Sequence, residues 1–147
     1  MAGTMHRRLS VCLIVLPLLL LALTVQAAGL SRSQRTKLAQ TQEAYAAAVR
    51  WSDFEAAEGF IDPDYRQAHP LSDLQRDRYR QVQVSGYRER SSGVVGEGVV
   101  ERRAEIRVIN RNTQAERTVM VDERWRWDPQ ARQWWQAQGL PDLWQGQ

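Results

Sequence analysis

The chain has 147 residues, 43% of them hydrophobic, with 20 basic against 17 acidic side chains and a single cysteine, Cys12. That length suits one ordinary domain beside any targeting segment. The basic excess is arginine spread among acids, Lys37 being the only lysine. No basic run with interleaved aromatics marks a nucleic-acid face, so nucleic-acid binding is set aside.

His6, Arg7 and Arg8 precede an uncharged run from Leu9 to Val25, the layout of a secretory signal. Val25-Gln26-Ala27 puts small residues at the −3 and −1 positions of a cut, so cleavage is expected after Ala27. Residues 1–27 are read as a signal peptide and residues 28–147 as one exported domain, periplasmic or secreted. The alternative is an uncleaved membrane anchor, since this run approaches the roughly 20 apolar residues that span a bilayer. Cleavage removes the cysteine, so the mature chain holds itself without a disulfide. It also removes Arg7 and Arg8 and no acid, leaving 18 basic against 17 acidic residues and a net charge of +1.

Leu38, Tyr45 and Val49 share a helical face, and Ala44 to Ala48 favour helix, which predicts a helix from about residue 33 to 51. Ser52 and Glu55 form a Ser-x-x-Glu capping box ahead of Phe54, Ala57 and Phe60, predicting a second helix of two or three turns limited by Gly59 and Pro63. Residues 62–70 read as turns, Leu71 to Arg78 as a short helix, and Val82 and Val84 begin a strand with period two. Ser91-Ser92-Gly93 reads as a turn, followed by long strands.

The register of one hairpin follows from its pattern. Val100, Ala104, Ile106 and Val108 occupy even positions, whereas Val119, Val121, Trp125 and Trp127 occupy odd ones. A turn centred on Asn112-Thr113 pairs Ile106 with Val119, Ala104 with Val121 and Val100 with Trp125, and sets Gly98 against Trp127. On the opposite face the same alignment places Glu101 against Arg124 and Arg103 against Asp122, and such opposed charges stabilise a strand pair modestly. A slip of one residue would turn both tryptophans to water. Asp128-Pro129-Gln130 supplies a further turn before Trp134 and Trp135, and the tail with Leu140, Leu143 and Trp144 is expected to pack back.

The alignment leaves one charged pair on the apolar face, Arg102 opposite Glu123. A departure from the pattern of this kind gathers at functional or strained sites. The candidate binding site is therefore Arg102, Glu123, Trp125 and Trp127, able to hold a small ligand through a carboxylate or hydroxyl. Its bland counterpart is an ion pair at a wet sheet edge with the tryptophans as core. No nucleophile-base arrangement, metal-ligand cluster or phosphate-cradling glycine loop is found, and His69 reads as a loop residue. No catalytic residue, metal or cofactor is assigned, and the balance leans against an enzyme.

The order of two or three helices, then long antiparallel strands, with Asp53-Phe54-Glu55-Ala56-Ala57-Glu58-Gly59-Phe60-Ile61-Asp62-Pro63 closing the second helix and Trp125-Arg126-Trp127-Asp128 before the last hairpin, resembles the nuclear-transport-factor-2-like superfamily. The resemblance implies an α+β fold with N-terminal helices packed on a strongly bent, cone-like antiparallel sheet around a pocket that Tyr45 would also face. Its isomerases, cyclases and dehydratases place an aspartate, or an aspartate and a histidine, in the cone. Here Arg102 and Glu123 stand instead. The resemblance thus points to a non-enzymatic protein binding a small molecule or an envelope partner, with a homodimer or envelope-complex surface as one alternative and a cone-type isomerase, cyclase or hydratase using Glu123 as the other.

Overall fold

The computed structural model describes residues 29–145. The expected signal peptide and its expected cleavage after Ala27 lie outside the described residues. Among the described residues no helix is long and apolar enough to cross a membrane.

Four helices precede four strands: α1 (Arg32–Arg50), α2 (Phe54–Glu58), α3 (Pro63–Ala68), α4 (Asp73–Arg80), β1 (Val82–Gly96), β2 (Val99–Asn110), β3 (Glu116–Asp128) and β4 (Gln133–Gln136). This is an α+β fold. Helix α1 starts at a capping box in which the Ser31 hydroxyl accepts from the Gln34 amide while the Gln34 side chain accepts from Ser31, satisfying two amides that lack a partner within the helix. It buries Leu38, Gln42, Tyr45, Ala46 and Val49.

The expected Ser52–Glu55 capping box does not form. Ser52 adopts φ +60 and its hydroxyl accepts from the Val84 amide at 2.8 Å, tying the helical region to β1. Asp53 takes over as N-cap, accepting from Ala56 at 2.9 Å, and α2 is a short helix of 5 residues. The stretch read as turns contains α3, which begins with Pro63 at its first position and Asp62 as cap, an arrangement proline tolerates because its missing N–H has no intrahelical partner there. Helix α4 begins two residues later than expected, at a second capping box built by Ser72 and Gln75.

The strands form one open antiparallel sheet in the order β1-β2-β3-β4. The β2–β3 register is the expected one along its whole length, with Arg102 opposite Glu123, Ile106 opposite Val119 and Val100 opposite Trp125. On the outer face Arg124 meets Glu101 at 3.0 Å and Arg103 meets Asp122 at 2.6 Å. The turn is held by Asn110, whose side-chain oxygen accepts from the Asn112 and Thr113 amides.

Ser91-Ser92-Gly93 is not a turn. It lies inside β1, opposite Arg103, Arg102 and Glu101, and the chain reverses instead at Glu97-Gly98. Pairing along the length of β2 outweighs the local turn preference. Irregularities in β1 at Ser85, Arg90 and Val95 absorb the mismatch, as bulges do, by adding a residue and sharpening the twist. Gly98 has φ +62, and a Cβ there would lie 3.2 Å from that of Trp127, so glycine answers both the backbone and the close approach of Trp127.

Helix α1 lies against β1 and β4, and the core gathers its apolar face with Phe54, Tyr79, Ile106, Trp125, Trp134 and Leu143. The tail packs back as expected. The Tyr79 hydroxyl donates to the Pro141 carbonyl at 2.9 Å, and Trp144 meets the Tyr79 ring edge-on. The outer edge of β4 is covered by a parallel bridge between Ile61 and Gln136.

Candidate functional site

Arg102 and Glu123 face inward from the middle of the sheet, 4% and 1% exposed. Their side chains meet directly, Arg102 donating from Nε at 2.9 Å and from Nη2 at 2.7 Å to Glu123 Oε2. The same oxygen accepts the Trp125 indole N–H at 3.1 Å. The other oxygen accepts the Tyr87 hydroxyl at 2.5 Å, a short contact of the kind expected for a charged acceptor. Three donors thus converge on Oε2 and one reaches Oε1. The Arg102 guanidinium also lies over the Tyr87 and Trp125 rings at 5.4 and 5.5 Å, and its Nη1 stands 3.8 Å from the half-exposed Glu89.

Tyr45 reaches this cluster from α1. Its ring is completely buried and presents an edge-on contact to Trp125 at 5.3 Å and to Phe60 at 6.1 Å. Among the described residues its hydroxyl has no hydrogen-bond partner, and neither has Nε2 of Gln42, which is also buried. The two residues are three apart on a helix, hence on one face. Burial raises the Tyr45 pKa well above the ordinary value, and the negative charge of Glu123 raises it further. Tyr87 is raised for the same two reasons in the same order. Both phenols therefore remain neutral around the ionised pair.

Of the residues singled out from sequence, Arg102, Glu123, Trp125 and Tyr45 come together. Trp127 stands apart from their hydrogen bonds. It is partly buried, packs on Trp134 at 5.5 Å and carries the Lys37 ammonium 5.8 Å above its ring. His69 stacks on Tyr65 at the end of α3. Two members escaped the sequence pattern. Tyr87 sits at an odd position in a strand whose inward residues begin even, and only the irregularity between Val84 and Gly86 brings it opposite Ile106, on the inner face. Gln42 carried a signal, its spacing of three residues from Tyr45, that a polar side chain on an apolar face obscured.

The cluster thus runs from half-exposed Glu89 through Arg102, Glu123 and Trp125 to buried Tyr45, with Gln42 on the same face of α1 as Tyr45. A base must reach a substrate proton, and Glu123 is buried with three donors on one oxygen and the Tyr87 hydroxyl on the other. Among the described residues no group of three or more His, Cys, Asp or Glu is placed to hold a metal ion. What the arrangement offers is unpaired hydrogen-bonding capacity on the α1 side. The described cavities, of about 420, 240 and 230 Å³, open elsewhere on the molecule. No protein family matches the chain, and no curated protein matches it either.

Proposed function

We propose that the chain is an exported, non-enzymatic binding protein of the cone-forming, nuclear-transport-factor-2-like kind. In this reading residues 1–27 are removed on export to a periplasmic or extracellular location. The concave side of the sheet then receives a small molecule through an oxygen acceptor. Arg102 and Glu123 form the rigid floor of the site, Trp125 a wall, and Gln42 and Tyr45 the recognition groups.

The observation that carries it is the pair of buried, unpartnered polar groups on one face of α1, the Tyr45 hydroxyl and Gln42 Nε2. An unsatisfied buried polar group costs about 1–3 kcal/mol, and native proteins retain few of them. Two on one helix face, with Tyr45 against Trp125 of the ion-pair cluster, are best accounted for by a guest that satisfies both. The four donors that Glu123 receives from within the chain support a structural role for it over proton transfer.

A thermal-shift screen of the purified protein against small hydroxylated and carbonyl compounds tests the proposal. A ligand that raises the melting temperature of the wild type and not of Tyr45→Phe is expected. Absence of any rise across the screen would count against a concave-face ligand.

A further inference from the structure

We propose a second binding site, for a planar aromatic carboxylate, in the cleft between α3, α4 and the C-terminal segment. It lies away from the concave side of the sheet, and its test is independent of the reading above. The cleft has a volume of about 420 Å³, within the roughly 300–1,000 Å³ usual for small-molecule sites.

Its walls are aromatic. Tyr65 and His69 stack at 4.3 Å, Tyr79 and Trp144 meet edge-on at 4.8 Å, and all four line the cavity. The walls are also built to stay in place. The Tyr79 hydroxyl fixes the Pro141 carbonyl, and Asp142 accepts from the Trp144 amide at 3.0 Å. Gly139, at φ +84, lets the backbone run so close to Tyr65 that a Cβ would lie 2.9 Å from the ring. No other residue allows that approach without displacing Tyr65.

The charges select an anion. Glu58 lines the cleft, but Arg76 neutralises it through contacts of 2.9 and 3.4 Å. Arg78 holds its guanidinium 4.4 Å over the Trp144 ring and makes no ion pair among the described residues. Arg66 reaches only the Glu58 carbonyl, at 3.5 Å. Asp142 is the remaining lining acid, so two uncompensated guanidinium groups face one carboxylate. A guanidinium held over an indole offers a planar fork of donors, the group that grips a carboxylate with two parallel hydrogen bonds. Ring walls and a held guanidinium together describe a flat ring bearing a carboxylate.

Isothermal titration of the purified protein with benzoate and naphthoate tests this, with acetate supplying the charge without the ring and benzylamine the ring with the opposite charge. Saturable binding of both aromatic carboxylates is expected, at least about tenfold tighter than acetate or benzylamine. Arg78→Gln, at an exposed position, should weaken it about tenfold, the loss of one charge-assisted contact. Arg66→Gln should weaken it less, and Tyr45→Phe should leave it unchanged. Near-ultraviolet circular dichroism identical to wild type verifies that each variant is folded. No saturable heat with either carboxylate, equal affinity for benzylamine, or unaltered affinity in Arg78→Gln would overturn the proposal. Loss of binding in Tyr45→Phe would overturn it as well, by locating the ligand on the concave side.

Discussion

The Tyr45 hydroxyl gives the sharpest test of the interior. Replacing Tyr45 by phenylalanine deletes one oxygen and leaves the ring, so the edge-on contacts to Trp125 at 5.3 Å and Phe60 at 6.1 Å survive. The oxygen removed has no partner among the described residues and no exposure, and an orphaned buried polar group costs about 1–3 kcal/mol. The variant should therefore be more stable than the wild type by about 1 kcal/mol, the lower bound because the site relaxes around the ring. For a domain of this size that is a rise of about 4 °C in melting temperature. Tyr87→Phe supplies the contrast. Its hydroxyl donates to the charged Glu123 at 2.5 Å, so its removal should cost about 2 kcal/mol. Urea titration at neutral pH measures both, an unchanged m-value certifying that the same surface is exposed on unfolding. Destabilisation of Tyr45→Phe by 1 kcal/mol or more, about the loss of a made hydrogen bond, would show that the hydroxyl is satisfied. The case for a guest beside it would then fall.

Three further outcomes follow from the same geometry. Glu123→Ala leaves the buried Arg102 charge without its carboxylate and should cost about 3–5 kcal/mol in urea unfolding, whereas Arg102→Met combined with Glu123→Leu should recover only part of that loss, because the Tyr87 hydroxyl and the Trp125 indole N–H lose their acceptor. Tyr45, Tyr79 and Tyr87 all have pKa values raised by burial above the ordinary value of about 10. Above that pH the unfolded chain loses protons that the folded chain keeps, so stability present at neutral pH falls as pH rises. Each of these tyrosines contributes a slope of about 1.4 kcal/mol per pH unit, so alkaline destabilisation begins just above pH 10 and is shallower in Tyr87→Phe. Gly98→Ala forces a side chain into φ +62, 3.2 Å from the Trp127 Cβ, and should cost about 1–2 kcal/mol by thermal denaturation.

The β2–β3 pairing is legible in the sequence because two independent patterns have to agree. Aliphatic and indole groups alternate along both strands, and only one alignment buries them together while placing Glu101 against Arg124 and Arg103 against Asp122. Juxtaposition of Arg102 and Glu123 comes with that alignment. So does the need for a small residue at position 98, although its left-handed backbone does not. The extent of α1 is also readable from its apolar face and alanines, with its start displaced by one residue to the Ser31 cap.

What the sequence hides depends on contacts between distant residues. Ser52 looks like a helix cap because its local spacing to Glu55 fits one. It serves β1 instead, since the Val84 amide takes its hydroxyl. Ser91-Ser92-Gly93 looks like a turn because turn preferences are local, whereas the hydrogen bonds of a long strand outweigh them. Tyr87 is invisible for a stricter reason. A period of two predicts the face of a strand residue only while the strand is regular, and one extra residue at Ser85 reverses it. Sequence alone thus determined which residues of β2 and β3 share the sheet interior, because alternation is a property of each regular strand taken singly. Tertiary structure decided which polar groups that interior satisfies and which it strands, because the Tyr87 bond to Glu123 and the lack of a partner at Tyr45 depend on bulges and on the docking of α1.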